Sequence, residues 1–148
     1  MRAWVTRCLT TAAVAGALLG SVTAGAQASP QGPVAESGRC KGFVEVDRHE
    51  LRSPAHALYG TVVLYWNRTY QMNCVVTYKS AAYGVATNTN AYVCTKTNGK
   101  EVCSIDKGAF LFLAETHPLK SPGCVRWGGL ATGIDGFSYA VNKPYGHC

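Results

Sequence analysis

The sequence lacks most of the short motifs that announce a chemistry. It has no Cys-x-x-Cys pair, which excludes a thioredoxin-like redox site. His49-Glu50 opens like a zinc-protease motif, but position 53 is serine, so His-Glu-x-x-His fails. There is no Gly-x-Ser-x-Gly elbow and no glycine-rich phosphate loop. His49, His56, His117 and His147 share no metal-ligand spacing and are expected on the surface. No basic run occurs, which argues against nucleic acid as a partner. Acids are scarce: eight Asp and Glu stand against 14 Lys and Arg. From residue 40 onward, Glu45, Asp47, Glu50, Glu101, Asp106, Glu115 and Asp135 are the available carboxylates for sugar cleavage, and nothing in their spacing pairs them. No catalytic residue, cofactor site or metal site is expected.

What is present begins with a leader. Met1–Arg7 carries two arginines and no acid, and Cys8–Val22 is apolar, rich in Ala, Leu and Val. Ala24-Gly25-Ala26 and Ala26-Gln27-Ala28 each offer small residues at −3 and −1. Residues 1–28 therefore read as a secretory signal peptide cleaved after Ala26 or Ala28. The apolar run is short for a transmembrane helix and no second one follows, so no membrane association is expected after cleavage. Cys8 stands before the run, which argues against a lipid-anchored cysteine at the cleavage point.

Loss of Arg2 and Arg7 brings the formal charge from +6 to +4, a mild bias toward acidic polymers. Loss of Cys8 leaves six cysteines. An even count in a secreted chain of this size reads as three disulfides in an oxidising compartment, with no thiol left as a nucleophile. Ser29–Arg39, with its Ser, Pro and Gly, reads as a flexible mature N-terminus, followed by one domain over residues 40–148.

Within that domain Gly60–Lys79 is the organising stretch. Thr61–Trp66 and Cys74–Tyr78 are β-rich and flank the polar Asn67–Gln71, where the chain is expected to turn back as a hairpin. Gly42–Asp47 reads as a short strand with Val44 and Val46 inward, and Arg48–Leu58, interrupted by Pro54, as a turn or loop. Ser80–Asn90 reads as an irregular connection. Ala91–Thr97 and Lys100–Asp106 flank Asn98-Gly99, the preferred pair for a type I′ turn. Counting back from that turn sets Lys96 opposite Glu101 as an ion pair, and Cys94 opposite Cys103 within disulfide reach. Four cysteines remain, with three connectivities; because strands adjacent in the chain tend to be neighbours, Cys40–Cys74 and Cys124–Cys148 are favoured.

Ala109–Ala114 is a continuous apolar run and reads as a fully buried strand; Glu115–Gly123, with two prolines, as an edge or loop. Cys124–Trp127 reads as a short strand closed by Gly128-Gly129, and Phe137–Val141 as the last strand. Short strands, frequent turns and no convincing helix give an all-β domain: a small antiparallel sandwich or partly closed barrel, stapled by three disulfides. Trp66 and Trp127 are expected in the core. Tyr70, in the hairpin turn beside Arg68, is the best candidate for an exposed contact.

Several segments together resemble one family: Cys40 with Gly42 and Phe43, then GTVVLYWN, NCVVTYKS, CVRWGG and a terminal YGHC. Across roughly residues 40–148 the chain is similar to the spore-associated protein A family, small secreted proteins of filamentous actinobacteria. NCVVT and Cys-x-x-Trp-Gly-Gly are the most specific parts. The chain departs from the family at Ala114–Leu119, where an Ala-Gly-Pro-Val-like run is expected. The resemblance implies an extracellular protein found with spores or the cell surface, and no catalytic residues. Its bacterial source sets aside the formal glycosylation acceptor Asn67-Arg68-Thr69. The expected function is that of a monomeric, non-enzymatic, secreted protein associated with a spore- or cell-wall polymer. The alternative is a secreted inhibitor of an extracellular hydrolase such as a protease, with Asn67–Gln71 or Glu115–Pro122 as its loop.

Overall fold

The computed structural model describes Ala35 and residues 38–148. The expected signal peptide, and the flexible stretch apart from Ala35, Gly38 and Arg39, lie outside the described residues.

Among the described residues nine strands follow one another: β1 (Val44–Arg52), β2 (Leu58–Asn67), β3 (Met72–Lys79), β4 (Thr87–Thr97), β5 (Lys100–Phe110), β6 (Leu113–Glu115), β7 (Leu119–Lys120), β8 (Val125–Thr132) and β9 (Ser138–Gly146). They form two antiparallel sheets, β1-β2-β3-β6 with β7 also on β3, and β5-β4-β8-β9. Neither sheet closes, so the sandwich of the two expectations is the correct one. The central hairpin is β2–β3, in register from Gly60 opposite Lys79 to Asn67 opposite Met72.

Alternation along β2 divides its side chains between two cores. Val62 and Leu64, with Val75 of β3 beside them, face the second sheet, where they meet Ala91, Val93, Val125 and the fully buried Trp127. Val63 and Tyr65 face the other way. They are covered by the segment before β1, through Ala35, Cys40 and Phe43, which packs on Cys74 and Val76. Gly42 N–H donates to the Ala35 carbonyl at 2.9 Å, and the Cys40 N–H to the Glu115 carboxylate at 2.9 Å. This strap turns one face of the first sheet into a second, smaller core.

All three disulfides have the expected pairing: Cys40–Cys74, Cys94–Cys103 and Cys124–Cys148. Their formation requires an oxidising environment. Asn98 and Gly99 both take positive φ, 52° and 74°, and the β4–β5 register runs Thr97 to Lys100 through Cys94 to Cys103, as counted from the turn. Lys96 does stand opposite Glu101, but the expected ion pair between them is replaced. Glu101 binds Arg126 at 3.0 Å and the Tyr145 hydroxyl at 2.6 Å, while the Lys96 ammonium lies 5.0 Å from the Tyr145 ring centroid. A guanidinium from β8, on the far side of β4, and a hydroxyl from β9 satisfy the carboxylate better than the flexible lysine opposite it.

Several boundaries differ from the sequence reading. β1 runs on to Arg52, through the first part of the expected loop, because pairing with β2 supplies its hydrogen bonds, and only residues 53–57 remain a connection. The ladder shifts between Glu45 and Asp47, and the extra residue, Val46, is 41 % exposed at the open end of the inter-sheet space rather than packed in the core. β4 already begins at Thr87, inside the stretch read as irregular. The apolar run Ala109–Ala114 is not one buried strand. It is the crossing between the sheets: β5 ends at Phe110, Leu111 and Phe112 are about half exposed, and β6 starts at Leu113. Gly128 and Gly129 lie inside β8 instead of ending it. β9 continues past Val141 to Gly146 with Pro144 within it, tolerated because β9 is an edge strand and its ladder to β8 shifts there.

Candidate functional site

The two sheets part at the end of the sandwich where β2 turns into β3, and there they leave a cleft of about 250 Å³. Each wall comes from a local decision of the chain. Trp66 is one position from the end of β2, on the same side of the strand as Leu64, so its indole sits where the inter-sheet core runs out. The core expectation for Trp66 is therefore corrected: it is half-buried and lines the cleft, whereas Trp127 is fully buried. Val46 enters from the β1 bulge. Pro122 and Gly123 follow β7, and His147 and Cys148 follow β9, tied back to the start of β8 by Cys124–Cys148.

The polar floor is built from Asn73 and Ser121, both essentially buried. Asn73 stands opposite Trp66 in the hairpin. Its Nδ2 donates to Ser121 Oγ at 2.6 Å, and Ser121 Oγ donates in turn to the Leu119 carbonyl at 3.2 Å. A carboxamide has a second N–H and a carbonyl oxygen, and those are what Asn73 can offer a ligand. At the rim, His147 Nε2 lies 3.0 Å from Asp47 Oδ2, joining the C-terminal tail of one sheet to β1 of the other.

A serine, a histidine and an aspartate around one cleft invite comparison with a hydrolytic triad. Here the Ser121 hydroxyl donates to a backbone carbonyl and accepts from Asn73, so it has no base to activate it. Among the described residues the other acids are equally engaged. Glu45 binds Arg48, Glu50 binds Arg52, Asp106 accepts from the Glu115 N–H, Glu115 accepts from Cys40 N–H, and Asp135 holds the Tyr59 hydroxyl. Among the described residues, the groups within 4.8 Å of one another that resemble metal ligands are Cys40, Cys74 and Glu115, and Cys94, Glu101 and Cys103; in each the sulfurs are in a disulfide, which removes the thiolate a metal needs.

Tyr70, the contact residue chosen from the sequence, is 63 % exposed in the β2–β3 turn, with its N–H capped by Asn67 Oδ1 at 3.1 Å. Arg68 is exposed beside it. The turn borders the cleft, because the Ser121 N–H donates to the Gln71 carbonyl at 3.0 Å. Sequence reading thus found the rim but missed Asn73, Ser121 and His147. The hairpin register alone would have set Asn73 against Trp66; bringing Ser121 and His147 to the same place takes the β3–β7 pairing and the last disulfide. Glu115–Pro122 is no free loop: Glu115, Thr116 and Ser121 are all buried against β3. His49, His56, His117 and His147 are all exposed. Among the described residues no helix is long and apolar enough to cross a membrane.

No protein-family model matches the chain, and no match was found among curated proteins or among solved structures.

Proposed function

We propose that the chain is a secreted, non-enzymatic protein of the spore or cell surface, as in the spore-associated protein A family it resembles, and that it attaches to an envelope polymer by taking one sugar unit into the Trp66 cleft. The observation that carries this reading is the pairing of an indole wall with a buried, hydrogen-bonded amide at the open end of the sandwich. A sugar ring has an apolar face and a hydroxyl edge; Trp66 suits the first and Asn73 with His147 the second. The volume is below the ~300–1,000 Å³ of sites for drug-sized ligands, which favours a single ring of a longer chain. The positive charge of the chain adds attraction to acidic polymers. The absence of a paired base at Ser121 supports a binding role over catalysis.

Co-sedimentation of the oxidised protein with intact spores, vegetative cells and purified cell wall, across a salt series, tests the reading. Retention at high salt is expected, because stacking and hydrogen bonds are not screened. Trp66→Ala should weaken it at least tenfold, about 1.4 kcal/mol. Val46→Trp, which fills the cleft without removing a core atom, should do the same. Binding that disappears with salt, or survives both substitutions, overturns the cleft as the site. No binding at any salt would move the function to the Tyr70 turn and the inhibitor reading, tested on a panel of extracellular proteases.

A further inference from the structure

The end of the sandwich opposite the cleft is made by four loops, residues 53–57, 80–86, 111–112 and 133–137. Three of them hold six large apolar side chains out toward solvent: Tyr83, Val85, Leu111, Phe112, Ile134 and Phe137, between 47 and 74 % exposed. The loops adjoin one another. The Tyr83 and Phe112 rings lie 5.0 Å apart and the Gly84 N–H donates to the Leu111 carbonyl at 2.9 Å. Thr87 Oγ1 donates to the Thr132 carbonyl at 2.7 Å, and Tyr59 ties the remaining gap. Its carbonyl accepts from Ser80 and Ala81 N–H, and its hydroxyl donates to Asp135.

The apolar residues are displayed by ordered backbone. In the 133–137 loop the Gly133 N–H donates to the Phe137 carbonyl at 2.9 Å, the Gly136 N–H to the Gly133 carbonyl at 3.2 Å, and the Phe137 N–H to Asp135 Oδ1 at 3.1 Å. The loop spends its polar groups on itself and on Tyr59, and presents Ile134 and Phe137. A surface held in its exposed form loses little conformational entropy when it is covered.

Size and charge select the occupant. At ~150–250 Å² for a whole aromatic side chain, the exposed fractions of the six residues amount to about 600 Å², at the upper limit for the largest patch of an ordinary monomer. A standard interface takes ~800 Å² from each partner, so these side chains and the backbone between them come close to one half of such an interface. Asp135 is the single acidic or basic residue in the four loops, histidine aside, and it is bound to Tyr59. Of the cations beside the loops, Lys79 is buried, with Nζ donating to the Val85 and Phe110 carbonyls, and the partly exposed Arg52 is engaged by Glu50 at 2.7 Å and by the His56 carbonyl at 2.7 Å. This face therefore offers no free cation to an anionic headgroup and no charge pattern to a charged protein. A copy of itself asks for neither, since apolar residues meet apolar residues across a two-fold axis with no charge left unpaired.

We propose that this end is a self-association face, on which a second copy of the chain docks. The expectation of a monomer then gives way to an end-to-end dimer. Because the cleft lies at the far end of each copy, the dimer presents two clefts outward and can bridge two units of a repeating polymer, where the second binding event is intramolecular and strengthens the first.

Sedimentation velocity of the oxidised protein, from micromolar to near-millimolar concentration, tests this. A concentration-dependent monomer–dimer equilibrium is expected. Ile134→Asp with Phe137→Asp, and separately Phe112→Ser, should each raise the dimer dissociation constant at least tenfold; all three sites are exposed, and native melting with three intact disulfides confirms the fold. Tyr70→Ser, at the opposite end, should leave it unchanged. A monomer throughout the range, or a dimer indifferent to the loop substitutions, overturns the proposal. So does a monomer that floats with phosphatidylcholine vesicles, which would give the face to lipid. Cell-wall retention is read separately, so a monomer that still binds cell wall refutes the dimer and leaves the cleft standing.

Discussion

At the scale of single residues, Tyr59 shows how a side chain inside the core comes to serve a loop. Its ring packs at 4.4 Å from Tyr139 within the inter-sheet core, and its hydroxyl reaches Asp135. That hydrogen bond, with burial and the carboxylate's charge behind it, pushes the phenol up to about 12 from 10. The folded protein therefore favours the protonated phenol more than the unfolded chain does. The stabilisation is fully present below pH 10 and is lost as the pH climbs from 10 through 12. Asp135→Ala removes the largest cause and should bring the Tyr59 midpoint back toward 10, leaving the part due to burial. Ultraviolet titration of the phenolate band checks this, with Tyr59→Phe assigning the band. A midpoint unmoved by Asp135→Ala would mean that the hydrogen bond does not govern the residue. Glu101 shows the same logic with the opposite sign. Tyr145 first, then Arg126, hold its carboxyl below the usual range, so its contribution persists as the pH falls and is lost only below the ordinary carboxylate range.

At the scale of elements, β8 decides how closely the sheets approach. Gly129 faces β3, and a Cβ there would run into Thr77 Oγ1, the Asn90 carbonyl and Val62. Gly128 faces the other side, where the Tyr92 ring lies against the strand and its hydroxyl donates to Asn142 at 2.6 Å. Gly129→Ala should cost about 1–3 kcal/mol, the usual penalty for overfilling a packed core. Gly146→Ala, which meets nothing closer than the Pro144 carbonyl at 4.0 Å, should be near neutral. Paired urea denaturation curves decide it, and equal costs would show that β8 can shift to make room. These glycines also mark where the sequence stops being legible. The β4–β5 hairpin was readable from Asn98-Gly99 because turn and register lie within a few residues of one another. A pair of glycines in β8 reads as a break until β3 and β4 are known to press on both faces. Likewise Ala109–Ala114 has the composition of one buried strand, and the crossing at Leu111 and Phe112 is imposed by the pairing of β6 with β3. In the cleft, Trp66 and Asn73 can be set together from a hairpin alone; Ser121 and His147 come from 48 or more residues beyond Asn73 and depend on the whole topology.

At the scale of the molecule, none of the three disulfides joins one sheet to the other. Cys40–Cys74 fastens the strap to β3, Cys94–Cys103 links the paired strands β4 and β5, and Cys124–Cys148 ties the chain ends flanking β8 and β9. The sheets are held together by the core around Trp127, and the bonds act by restricting the unfolded chain. Their separations in sequence, 34, 24 and 9 residues, then set an order. In the loop-entropy description, removing Cys40–Cys74 costs ~3.8 kcal/mol, Cys124–Cys148 ~3.5 and Cys94–Cys103 ~2.7. Each is a large fraction of the ~5–15 kcal/mol stability of an ordinary domain. Double alanine variants at the three pairs, compared by denaturation, should follow that ranking, and a costliest Cys94–Cys103 would reject it. One of the three should also separate stability from binding. His147 and Cys148 are a wall of the cleft, so the Cys124/Cys148 variant should lose cell-wall retention under conditions where it is still folded. The Cys94/Cys103 variant, altered on β4 and β5 of the same sheet and outside the cleft lining, should keep it. If both retain binding equally while folded, the C-terminal tail is not part of the site, and the Trp66 wall and its hydrogen-bonded floor must recognise the polymer without it.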